Sequence, residues 1–198
     1  MQAKLSASDL ACRRGDRLLF RQLSFELNAG EALHVTGANG TGKTTLIRAL
    51  SGLTTPFAGE VFCEGDIGLL DERPALDPDL PLGKALRFWE RVDGCGDPSG
   101  ALKVLGLEPL LEVPVRYLST GQRKRAGLAG LLNRGVPVWL LDEPLSGLDT
   151  AAIAEVTALI QLHIGGGGLA LIASHQRLAI DGLRTLELGD YAPQDEPA

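Results

Sequence analysis

Residues 32–45 read ALHVTGANGTGKTT, and the fold is decided here. ALHVTG, residues 32–37, is the kind of short apolar run that forms a buried strand, and helical patterning follows over 44–53. Between them Gly37-Ala38-Asn39-Gly40-Thr41-Gly42-Lys43-Thr44 matches G-x-x-x-x-G-K-[ST], after a strand and opening a helix, as a phosphate loop must be placed. Glycines let successive backbone N–H groups converge on phosphate oxygens, and the helix N-terminus adds partial positive charge. The pattern predicts that the whole run, with Thr45 behind it, cradles a nucleoside triphosphate. Lys43 then reaches the β and γ phosphates and the Thr44 hydroxyl ligates Mg²⁺.

About a hundred residues on, Val138-Trp139-Leu140-Leu141-Asp142-Glu143-Pro144 sets two adjacent carboxylates at the end of an apolar strand. On its own such an ending is often a solvated strand end; below a phosphate loop it supplies the metal-side acid. Asp142 is expected to hold Mg²⁺ through its water shell, and Glu143 to orient or deprotonate an attacking water.

Working outward, residues 4–12 and 17–27 are strand-like runs separated by the turn Arg14-Gly15-Asp16, and 59–70 holds two more. A Pro- and Asp-rich loop at 74–81 leads into an amphipathic helix over 82–92. Helix 120–134, strand 138–141, helix 150–163 closed by the glycine run 165–168, and strand 169–174 complete the pattern. Strands alternating with helices predict an α/β domain with a mainly parallel sheet. One domain over 1–198 is expected, with an antiparallel β edge, a helical part over about 73–133 and a loose polar tail over 190–198.

The composition, 44% hydrophobic, 22% charged and 5% aromatic, is that of a globular chain and excludes disorder. No apolar run is long enough to span a bilayer and the N-terminus lacks a signal-peptide core, which predicts a cytoplasmic protein. A net charge of −6 gives no general attraction to nucleic acid, and the clusters Arg13, Arg14, Arg17 and Arg123, Lys124, Arg125 read as solvated faces. Cys12, Cys63 and Cys95 show no CxxC spacing and read as scattered buried thiols. His34, in an apolar strand, reads as a core histidine, and His163, at a helix end, as a surface one.

Leu118-Ser119-Thr120-Gly121-Gln122, between the two motifs, resembles the LSGGQ signature of ATP-binding-cassette proteins. The same residues also read as a helix N-cap. Ser146-Gly147-Leu148-Asp149 resembles that family's D-loop, and Ser174-His175-Gln176 its switch region. The resemblance runs from about residue 4 to about residue 188. It implies a P-loop NTPase fold with a RecA-like core, an antiparallel β subdomain and a small helical subdomain, and an ATP hydrolase that works as a pair of subunits. It further implies that Ser119, Gly121 and Gln122 grip the γ-phosphate of ATP bound to the opposite subunit, that Asp149 belongs to this shared site, and that His175 hydrogen-bonds the γ-phosphate.

Two positions depart from the family. Where it stacks an aromatic side chain on adenine, this chain has Arg14, which either stacks through its planar guanidinium or is a solvated turn residue. The family's glutamine after the strand near residue 70 is missing, since no Gln occurs between Gln22 and Gln122. Glu72, an oxygen ligand suited to Mg²⁺, and Arg73, a cation near phosphate, are the alternatives at that position. Trp89, with Phe88 and Leu86 on the inserted helix, either docks a membrane subunit or packs the helical part.

Size, the opening CRRGDRLLFRQLSFELNAGE and the SHQ triplet are most similar to the haem exporter ATP-binding subunits of bacterial cytochrome c maturation. That resemblance implies integral-membrane partners and a peripheral place on the cytoplasmic side of the inner membrane. The competing expectations are a soluble ATPase of the same fold acting on a macromolecular partner, and a nucleotide-gated clamp with little turnover.

Overall fold

A computed structural model describes residues 2–71, 74–94 and 98–193. Two sheets share one helix. Strands β1 (Lys4–Arg14), β2 (Arg17–Asn28) and β4 (Ala58–Glu64) form an antiparallel sheet in the order β2-β1-β4. Strands β3 (Ala32–Thr36), β5 (Ile67–Leu70), β6 (Val138–Asp142), β7 (Leu169–Ala173) and β8 (Arg184–Glu187) form a parallel sheet in the order β5-β6-β7-β3-β8.

Period-two alternation along the central strands divides the core. Val138 and Leu140 of β6 and Leu169 and Leu171 of β7 face a core that also holds Leu46, Ile47 and Leu50 of helix α1 (Lys43–Leu50) and Leu5, Phe20 and Leu23 of the antiparallel sheet. Their alternates, Trp139, Leu141, Ala170 and Ile172, face a second core with helices α2 (Leu82–Asp93), α4 (Thr120–Arg134) and α5 (Thr150–Gly165).

Helix α1 stops at Leu50, short of the expected 53, because Gly52 takes φ 75° and the chain closes a Schellman turn, Leu53 N–H to Arg48 O at 2.9 Å and Gly52 N–H to Ala49 O at 3.2 Å. Two elements depart from the expected pattern. Helix α3 (Ser99–Val104) buries only Leu102 of its six residues, and β8 buries only Leu186 of its four, so neither carries a readable period. The tail, expected to be loose from residue 190, begins instead with a 3₁₀ helix over Leu188–Tyr191 whose Gly189 N–H is capped by Glu187. Residues 194–198 lie outside the described residues, as do Glu72, Arg73 and Cys95.

Candidate active site

The parallel sheet places three motifs side by side. Strands β6, β7 and β3 are consecutive neighbours, and from their C-terminal ends leave Asp142-Glu143, Ser174-His175 and the phosphate loop. Crevices outside the carboxyl ends of such strands are where α/β sheets bind ligands.

The loop is braced from inside. Lys43, 8% exposed, donates from Nζ to Gly37 O at 2.6 Å and Ala38 O at 3.3 Å, and Thr41 Oγ1 donates to Ala38 O at 2.9 Å. Gly42 begins α1 at φ 113°, and a Cβ there would lie 3.2 Å from Leu19 and Phe20, so the antiparallel sheet presses directly on the loop. Thr36 Oγ1 donates to Glu187 Oε2 at 2.6 Å, which ties the loop's entry to the end of β8.

Asp142 is 1% exposed, and its Oδ2 has no hydrogen-bond partner among the described residues. Burial raises its carboxyl above the ordinary value, while the Thr44 hydroxyl and then the Lys124 ammonium pull it down. Glu143 follows with φ 48°, an uncommon conformation for a side-chain-bearing residue, and its N–H is held by Ala173 O at 2.8 Å. Its Oε2 lies 2.9 Å from His175 Nδ1 and 3.4 Å from Ser174 Oγ, which donates to it. A cavity of about 340 Å³ opens here, lined by Arg14, Leu19, Asn39, Gly40, Gly42, Lys43, Thr44, Thr45, Asp142 and Glu143. Arg14 thus stands on the wall of the phosphate-loop cavity.

Residues 20–146 match the ABC transporter family model. The chain is 55% identical to the cytochrome c biogenesis ATP-binding export protein CcmA of Novosphingobium aromaticivorans, over 96% of this chain and 97% of that protein. It is 48% identical to the CcmA of Sphingopyxis alaskensis, over 97% and 100%. Among solved structures, an inward-facing metal-chelate type ABC transporter superposes with TM-score 0.79 at 26% identity, over 94% of this chain and 80% of that one. An ABC transporter ATP-binding protein of Pyrococcus furiosus gives TM-score 0.83 at 24% identity over 96% and 100%, a likeness of fold. The chain belongs to the ABC transporter family. As an ABC ATPase it binds nucleotide and hydrolyses ATP. No helix among the described residues is long and apolar enough to cross a membrane.

The remaining ABC motifs lie outside the cavity wall. Ser119 and Gln122 form a reciprocal capping box on α4, Gln122 N–H to Ser119 Oγ at 3.1 Å and Ser119 N–H to Gln122 Oε1 at 2.8 Å, so the cap reading of the signature is correct. Asp149 caps α5, accepting from Ala152 N–H at 2.9 Å. Signature and D-loop touch: a Cβ on Gly121 would lie 2.5 Å from Gly147 O.

Two sequence readings are corrected. Lys124, expected with Arg123 and Arg125 on a solvated face, is 1% exposed and donates to Asp142 O at 2.8 Å and Asp71 O at 3.2 Å. Its signal was present, because Gly121, Lys124, Leu128 and Leu131 fall on one buried helical stripe. His163, expected at the surface, is half-buried and stacks on Trp139 with centroids 3.8 Å apart and planes 8° from parallel. His34 is a core histidine as expected and has a further contact, its Nε2 lying 3.0 Å from Ser174 O beneath the switch turn.

Proposed function

We propose that the chain is the ATP-hydrolysing subunit of a cytochrome c maturation exporter that moves haem, a single ABC domain over 1–198 with its helical part over about 73–133. Two copies work together beneath integral-membrane subunits on the cytoplasmic side of the bacterial inner membrane. Near full-length identity of 55% with a cytochrome c biogenesis export protein carries this reading.

In the proposed site, backbone N–H groups of residues 37–45 hold the triphosphate, and Lys43 leaves the Gly37 and Ala38 carbonyls to neutralise the β and γ phosphates. Arg14, on the cavity wall, stacks on the base. The donor set suits magnesium, because the unpartnered Oδ2 of a buried Asp142 and the Thr44 hydroxyl beside it are hard oxygens. Bound magnesium would supply neutralisation of phosphate charge there. Glu143 orients the attacking water, and His175 holds Glu143 and contacts the γ-phosphate. Ser119, Gly121 and Gln122, absent from the cavity wall, present α4's N-terminus to the ATP of a second copy, beside that copy's share of the D-loop through Asp149. Glu72 remains the proposed extra oxygen toward magnesium.

Membrane subunits dock, in this proposal, on a groove of about 330 Å³ lined by Leu53, Leu70, Pro74, Leu76, Trp89 and Leu131. Phe88, 55% exposed, stands edge-on to Trp89, whose indole N–H donates to Ala75 O across the groove. Co-purification from detergent-solubilised membranes tests the reading. The parent is expected to bring down integral-membrane partners, with Trp89→Ala retaining ATP binding and losing them. Purification of the parent with soluble partners alone contradicts it.

A further inference from the structure

Lys124 is buried beneath the exits of β5 and β6, and burying an ammonium is costly unless its donors are spent. Two of its three donors go to backbone: Asp142 O at the exit of β6 and Asp71 O at the exit of β5, two strands that are neighbours in the parallel sheet. The lysine itself rides on α4, two residues beyond the Gln122 that closes the signature's capping box. One turn further along the same helix, Gly127 lies so near the β5 exit that a Cβ would meet Leu70 Cδ1 at 2.6 Å and Pro74 Cγ at 3.0 Å. Helix α4 is therefore pinned to both exits, by charge-assisted hydrogen bonds at Lys124 and by close packing at Gly127.

The carboxylate of Asp142 meets the Thr44 hydroxyl and has no described partner at Oδ2, so its direction is set also by the backbone that carries it. That backbone is what Lys124 holds. We infer that Lys124 is a positioning residue that fixes the exit of β6 against the signature helix and so aims Asp142 at the metal side of the triphosphate site. This rests on the reading of Asp142 as the magnesium-side carboxylate. A residue that orients a ligand from behind is worth about 10–100-fold in metal affinity.

The test is Mn²⁺ binding, followed by electron paramagnetic resonance, to the purified full chain with a non-hydrolysable ATP analogue. Parent, Lys124→Met, Lys124→Arg and Asp142→Asn are compared, and binding of a fluorescent ATP in EDTA is measured beside them. Lys124→Met is expected to weaken Mn²⁺ about tenfold, keep metal-free nucleotide binding within about twofold, and be restored by Lys124→Arg. If Lys124→Met does not fold, Lys124→Gln, which keeps an uncharged amide N–H donor group, carries the same comparison. Mn²⁺ binding unchanged in the folded lysine variant while Asp142→Asn loses it overturns the inference and leaves the reading of Asp142 standing. Equal loss of Mn²⁺ and metal-free nucleotide binding also overturns it, as general damage. Unchanged Mn²⁺ binding in Asp142→Asn overturns the reading of Asp142 and the inference with it.

Discussion

His175 Nδ1 lies 2.9 Å from Glu143 Oε2, and the pair bridges the exits of two neighbouring strands, β7 and β6. Glu143 is held at the same oxygen by Ser174 and is set by a left-handed backbone, so the imidazole is the movable member, 59% of its side chain being exposed. His175→Ala should therefore lower kcat by roughly 100-fold and leave the ATP Kd within about twofold, since the ring acts on charge that develops during reaction. Steady-state ATPase assays beside nucleotide titrations check this.

The signature residues contribute nothing to the wall of the phosphate-loop cavity, as the proposed grip on the ATP of a second copy requires. With Mg²⁺ and ATP, Glu143→Gln should double in mass by light scattering, because nucleotide is held and not consumed. Adding Lys43→Ala should return it to monomer by removing the charge that binds the phosphates. A doubly substituted chain that still dimerises on ATP contradicts the shared-site reading.

Helix α4 offers a matched pair of glycine substitutions. At Gly130 a Cβ would find open space, with no described atom within 4 Å, so Gly130→Ala should stabilise the fold by up to about 1 kcal/mol through helix propensity. At Gly121 the same methyl meets Gly147 O at 2.5 Å and Leu148 Cδ2 at 3.0 Å, and must push the D-loop aside. Gly121→Ala should cost about 1–3 kcal/mol. Thermal denaturation of the two variants should move in opposite directions.

Burial lowers the pKa of His163, against weaker upward pulls from the Leu169 and Pro137 carbonyls. The unfolded chain then takes up its proton at higher pH than the folded one. The stability contributed by the neutral ring is complete above the unfolded value and lost as pH falls through the folded one. His163→Phe keeps a ring on Trp139 and cannot titrate. Between about pH 7 and about pH 5 the parent's Tm should fall more steeply than the variant's, the window lying at and below the ordinary histidine range. Parallel curves contradict this.

The phosphate loop, the Asp-Glu strand and the order of elements were legible because each joins an apolar period to residues of fixed chemistry, and β3, β6 and β7 follow from runs such as VWLL. Strand order was not legible, since β8 lies beside β3 through a pairing 151 residues apart, Thr36 with Glu187. For the same reason Glu187 was missed: it reaches the phosphate loop only across that pairing. Lys124 was misread by weighing charge above position, its place on the stripe of Leu128 and Leu131 being the better guide. The stack of His163 on Trp139 joins the C-terminal end of α5 to β6 and left no local trace.

Single-turnover hydrolysis of radiolabelled ATP, with purified protein in excess, tests the central claim most directly. The account expects the parent to convert its bound ATP to ADP and phosphate, and Glu143→Gln to bind as much ATP and convert it at least about 100-fold more slowly. Equal rates in the two chains would take the reaction away from Glu143 and contradict the account.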